Sequence, residues 1–191
     1  MPPSALVRDA ALLVIDVQQG LDAPHLGARS TPEAEANVAR LLAAWRAASR
    51  PVLHAQHLST EPDSPLRPER PGCAIKPEAA PAAGEPVFQK HANSAFVGTD
   101  LRAHLGAQGI AALVIAGLTS DHCVSATART ASDTGFAVVV VADATAAHER
   151  TGHDGRRFSA DDVHAVSLAT LHGEFATVMP TDAVLAALAA P

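Results

Sequence analysis

Aromatic residues are scarce in this chain: of 191 residues one is Trp, five are Phe and none is Tyr. Few side chains can therefore stack on bases, and a formal net charge of −6 offers no attraction to a phosphate backbone. Both features argue against nucleic acid as a partner. There are only two cysteines, too few for a disulfide framework. Cys73 falls in a Pro/Gly-rich stretch and Cys123 at a strand-to-helix turn, and both read as free thiols. No apolar run approaches the length that spans a bilayer, and MPPSALVRDA lacks the pattern of a signal peptide. The expected localisation is cytoplasmic, with no membrane partner. Neither G-x-G-x-x-G nor G-x-x-x-x-G-K-[ST] occurs, so nucleotide binding of Rossmann type has little support.

What is present is a regular alternation. Apolar, β-branched runs at 11–16, 51–57, 86–89, 111–116, 137–142 and 174–179 predict strands, and their near-continuous apolar character predicts burial on both faces. Alanine-rich segments at 32–49, 99–107, 121–134, 161–170 and 181–189 predict helices. Thr31 is the expected cap of the first, with Pro32 opening it. Thr181 and the pair Asp161, Asp162 mark the last two starts, and Gly135 suits a left-handed cap. With 48% hydrophobic residues the chain can bury one full core, so residues 1–191 are read as one α/β domain of repeated β-α units around a mostly parallel sheet. The Pro-rich stretch 58–85 reads as a binding loop, a lid or an oligomer contact.

In such sheets ligands sit beyond the carboxyl ends of the strands. Four polar residues end apolar runs: Asp16, Lys90, Cys123 and Asp143. Asp16, Lys90 and Cys123 together suit amide hydrolysis. A thiolate attacks a carbonyl, a carboxylate carries its proton to the leaving amine, and a cation holds the two anionic groups. A thiol at a helix start is expected to ionise readily, because unpaired N–H groups favour its anion. The N–H groups of Thr119 and Cys123 border the same turn and could bind the oxyanion. His54 and His57 lie three apart on one strand, so their side chains point to opposite faces and do not form a metal pair. No third ligand accompanies them at zinc spacing, and no metal is expected. His122, beside the cysteine, is assigned to the surface or the framework at least as readily as to the site.

Three segments in order, LLVIDVQQG, FQKHANSAFVGTDL and VIAGLTSDHCVSATARTASDTGFAVVVVADAT, carry a resemblance that spans nearly the whole chain. The chain resembles the isochorismatase-like cysteine hydrolases, a superfamily that includes nicotinamidases and N-carbamoylsarcosine amidases. The resemblance implies a three-layer α/β/α fold with a six-stranded sheet, and a catalytic Asp16, Lys90, Cys123 triad. It also implies a cis peptide at Leu118–Thr119, ahead of an oxyanion hole made by Thr119 and Cys123, and a structural role for Asp143. The Asp-x-His metal pattern of nicotinamidases is missing around His54 and His57, which moves the expected substrate away from nicotinamide. The reaction implied is hydrolysis of a small amide or related carbonyl through a thioester, with no cofactor. Gln18, His57, Asn93 and Phe96 flank these segments and are the expected pocket walls. Vinyl-ether hydrolysis of isochorismatase type, with Asp16 handling the proton, and a non-catalytic binding protein are the alternatives. The partners expected are a small-molecule substrate and other copies of the chain.

Overall fold

The computed structural model describes Val7 and residues 9–190. Eight strands follow one another: β1 (Ala11–Ile15), β2 (Val52–His57), β3 (Val87–Lys90), β4 (Ala112–Leu118), β5 (Ala137–Ala146), β6 (Arg150–Thr151), β7 (Arg157–Phe158) and β8 (Thr177–Met179). Between them lie α1 (Ala34–Ala47), α2 (Leu101–Ala107), α3 (Ser125–Asp133) and α4 (Ala160–Leu171), and α5 (Thr181–Ala189) follows β8. Six strands form one sheet in the order β3-β2-β1-β4-β5-β8, and every adjacent pair in it is parallel. β6 and β7 form a small antiparallel ribbon.

Alternation along the strands sorts the core into two layers. Leu12, Val14, Val52, Val114 and Val139 pack against Val38, Leu41 and Trp45 of α1 and Val184 of α5. Leu13, Ile15, Leu53, Ile115 and Val140 pack against Leu101 and Leu105 of α2, Ala128 of α3 and Leu171 of α4. Helices thus cover both faces, which is why these strands read as unbroken apolar runs. No helix among the described residues is long and apolar enough to cross a membrane.

Several boundaries differ from expectation for local reasons. α1 begins at Ala34 because Thr31 adopts a left-handed φ of 51° and cannot act as the cap. α2 begins at Leu101, after a turn in which the Thr99 hydroxyl bonds back to the Ala95 carbonyl. The strand expected at 174–179 is only Thr177–Met179, since Gly173 (φ 86°) folds the preceding residues into the turn that closes α4. Ser159 caps α4, accepting from the Asp162 N–H, and Asp161 and Asp162 lie in its first turn as expected. β5 is longer than expected and its pairing with β4 jumps from Ile115–Val140 to Gly117–Thr145, a bulge that re-aims the strand ends near the site. Asp143 sits in that bulge and accepts from the N–H and hydroxyl of Thr181 at 2.7 Å each, so it caps α5 from a distance.

Candidate active site

The strand order reverses between β1 and β4, and the polar cluster lies at their carboxyl ends, where an open parallel sheet leaves a crevice. Asp16 follows β1 with φ 49°, a left-handed conformation that few non-glycine residues take. Opposite Ile15, Gly117 has φ 120°, and a Cβ there would overlap the Ile15 carbonyl oxygen. Glycine is thus what lets the two strand ends approach. The peptide Leu118–Thr119 is cis, as the resemblance implies.

Cys123 is carried on a π-type turn, Ser120–Val124, in which the Val124 N–H reaches back to the Thr119 carbonyl at 3.1 Å. The helix expected at 121–134 is therefore a π turn followed by α3, and such turns recur at functional sites. Fully buried Ser120 pins the turn to α4, its hydroxyl 2.9 Å from His164 Nδ1. Arg150 pins it from the other side through Asp121, Nε to Oδ2 at 2.8 Å.

Lys90 arrives from the edge strand β3 and is completely enclosed. Its Nζ lies 2.6 Å from Asp16 Oδ2, 3.3 Å from Cys123 Sγ, 3.3 Å from His57 Nδ1 and 3.2 Å from the Ala92 carbonyl. One oxygen of Asp16, one ring nitrogen of His57 and the Cys123 sulfur all lie within 4.8 Å of one another, a spacing that could serve a metal. The Lys90 ammonium, however, already contacts all three residues and is itself the cation they share. His54 points to the other face of the sheet and meets Glu85 Oε2 at 2.9 Å, as the strand period requires.

Burial sets the proton affinities. It raises the Asp16 carboxyl above its ordinary value despite the opposing Lys90 charge. Burial, then the Asp16 charge, push the Cys123 thiol up to about 12, with Lys90 working against them. Enclosure beside a carboxylate works against the ready ionisation expected from its place at a helix start. One ammonium supports one negative charge, so at rest the carboxylate carries it and the sulfur keeps its proton.

These groups open onto a cavity of about 240 Å³. Of the expected pocket walls, His57 and Asn93 line it, and the Asn93 side-chain oxygen is 3.8 Å from the Cys123 sulfur. Gln18 does not. It is fully buried and fastens the end of β2, accepting from the His57 N–H and donating to the carbonyls of His57 and Cys73. Phe96 turns into the core, its ring 5.6 Å from that of Phe136. Thr119 and Cys123 both border the cavity. So do Leu21, Leu26, Leu66, Leu118, His122, His148 and Arg150, most of which sequence reasoning passed over. Polar residues just past an apolar run, here HER after β5, were the available signal for the last two.

A fold of this order, with buried Asp16 and Lys90 and part-buried Cys123 gathered at its switch point, is that of an α/β enzyme. The chain belongs to the isochorismatase family: the isochorismatase domain matches residues 10–183. It is 39% identical over 175 residues to the isochorismatase family protein YrdC of Bacillus subtilis, covering 92% of this chain and 94% of YrdC. It is 31% identical over 170 residues to the maleamate amidohydrolase of Pseudomonas putida, covering 81% of this chain and 80% of that protein. A crystal structure of an isochorismatase-family protein from Chromobacterium violaceum superposes with a TM-score of 0.91 at 48% identity, covering 95% and 94% of the two chains. The protein is accordingly an isochorismatase-family hydrolase.

Proposed function

We propose that the protein hydrolyses a small amide, or a related carbonyl compound, through a thioester on Cys123. The observation that carries this reading is the convergence of Asp16 and Cys123 on one enclosed ammonium, at 2.6 Å and 3.3 Å. Asp16 takes the thiol proton as sulfur attacks the carbonyl carbon, and negative charge moves from carboxylate to sulfur beside Lys90 with no change in the total. The N–H groups of Thr119 and Cys123 receive the oxyanion of the tetrahedral intermediate. Asp16 then protonates the departing nitrogen, the C–N bond breaks, and the amine leaves. Water attacks the thioester, Asp16 takes its proton, and the acid departs as that proton returns to sulfur. No cofactor enters this cycle.

Incubation of the parent with a panel of small amides, followed by mass spectrometry, tests it. An acyl mass increment on the Cys123 peptide, and turnover lost in Cys123→Ala, is the expected result. Amide turnover that survives Cys123→Ala would end the thioester reading. Isochorismate turnover by the same variant would favour vinyl-ether chemistry run by Asp16.

A further inference from the structure

His148 is 3% exposed, and neither of its ring nitrogens has a hydrogen-bond partner among the described residues. Buried polar side chains are nearly always paired, so an orphaned imidazole calls for an explanation. The Gly27 carbonyl is near enough to favour the protonated ring, yet makes no hydrogen bond to it. The backbone on both sides is fastened. Ala147 N–H donates to Ser30 Oγ at 3.0 Å, the Ser30 N–H donates to the Ala147 carbonyl at 2.9 Å, and the Glu149 N–H donates to the Ala28 carbonyl at 3.0 Å. The main chain that carries the ring is therefore held in place, while the ring itself has no such anchor among the described residues.

That place is the wall of the catalytic cavity. His148 and Leu21 line this cavity and also a neighbouring one of about 260 Å³ beside Gly27 and Arg29. Burial, and after it the Arg150 charge, lower the proton affinity of the ring, so it presents one N–H and one lone pair. Arg150 is already engaged by Asp121 and by His122 Nδ1. Beyond the catalytic groups and the side chains of His57, Asn93 and His122, the remaining wall is made by four leucines, with no Phe or Trp. The leucines pack an alkyl chain, and no phenyl or indole ring is there to stack on an aromatic amide.

We propose that His148 is a specificity-determining residue whose imidazole hydrogen-bonds a second polar group on an aliphatic amide, on the acyl chain away from the bond cut at Cys123. The amide half of this statement rests on the hydrolase reading above. A site built to hydrogen-bond such a group discriminates against the analogue lacking it, because the unpaired ring stays buried when that analogue binds.

Binding to Cys123→Ala separates this from turnover. Butyramide, succinamide and succinamate are titrated by calorimetry, with the His148 ring proton followed by NMR. The bifunctional ligands should bind about fivefold tighter than butyramide, the worth of one added hydrogen bond, and should shift the ring resonance. Adding His148→Leu should bring that ratio to about one, and His148→Gln, which keeps a donor and an acceptor, should restore part of it. A preference for succinamate over succinamide that falls with His148→Leu identifies the second group as a carboxylate; the reverse order identifies it as a neutral amide. A preference unchanged in both folded variants overturns the proposal, as does equal binding of all three ligands or no binding of any. His148-dependent binding without turnover in the parent would sink the hydrolase reading alone.

Discussion

At the scale of single residues, the site is governed by how many charges one ammonium can support. Lys90 lies against both Asp16 and Cys123, and the thiol is held at about 12 chiefly by burial. Alkylation of Cys123 by iodoacetamide should therefore rise about tenfold per pH unit between pH 7 and 9, as the thiolate fraction grows. A rate already at its plateau at pH 7, read by mass spectrometry, would show a preformed thiolate. Lys90→Met removes the one ammonium or guanidinium that contacts the pair among the described residues. We expect amide turnover to fall by roughly 10³-fold and urea stability at pH 7 to drop by about 3 kcal/mol, because Asp16 is left buried without a partner. The motif residues were legible as candidates because each ends an apolar run. Their proton affinities were not, since desolvation depends on what encloses them.

At the scale of elements, two connections decide where the site residues stand. The stretch 58–85 is anchored: Lys76 Nζ meets Asp22 Oδ1 and Glu35 Oε1 at 2.6 Å each, and Arg29 makes a two-pronged contact with Glu35. Leu66 of the same stretch lines the cavity, which favours a binding loop among the three roles expected for it. Burial pushes the Glu35 carboxyl up, and the hydrogen bonds from Arg29 and Lys76 outweigh it, holding the group at about 2. A carboxyl depressed in the fold contributes stability above its unfolded value near 4.3, and that contribution is lost as pH falls toward 2. Glu35→Gln should cost about 3 kcal/mol at pH 7 and flatten the decline of stability between pH 4.5 and 2.5, measured by urea melts. The second connection is the close approach at Gly117. Gly117→Ala should lower stability by more than about 3 kcal/mol, because the new methyl overlaps the Ile15 carbonyl and the backbone is left-handed; a melting temperature equal to the parent's would refute this. Alternation predicted both strands. The bulge of β5 and the π turn before α3 were not readable, since each is set by how neighbouring segments fasten the chain.

At the scale of the whole molecule, one exposed face stands out. α4 turns Val166 outward, 63% exposed, between the exposed Ala165 and Ala169. We propose that a second copy of the chain covers this face. Sedimentation of the parent should then give a multiple of 19.6 kDa, and Val166→Glu should shift it toward a single chain. A parent that sediments as one chain would remove the oligomer.

The order of apolar runs and helical segments by itself determined a parallel sheet clothed by helices, because strands buried on both faces must be apolar throughout and crossovers must be long. It also marked Asp16, Lys90 and Cys123, whose polarity is conspicuous at the ends of such strands. Only the tertiary structure decided that these three meet, across β3, β2, β1 and β4, and that Gln18 and Phe96 turn away from the cavity. It alone brought His148 and Arg150 onto the cavity wall. The reason is physical: local pattern records which face of an element is buried, whereas a site depends on which elements end beside one another and on how much water they exclude.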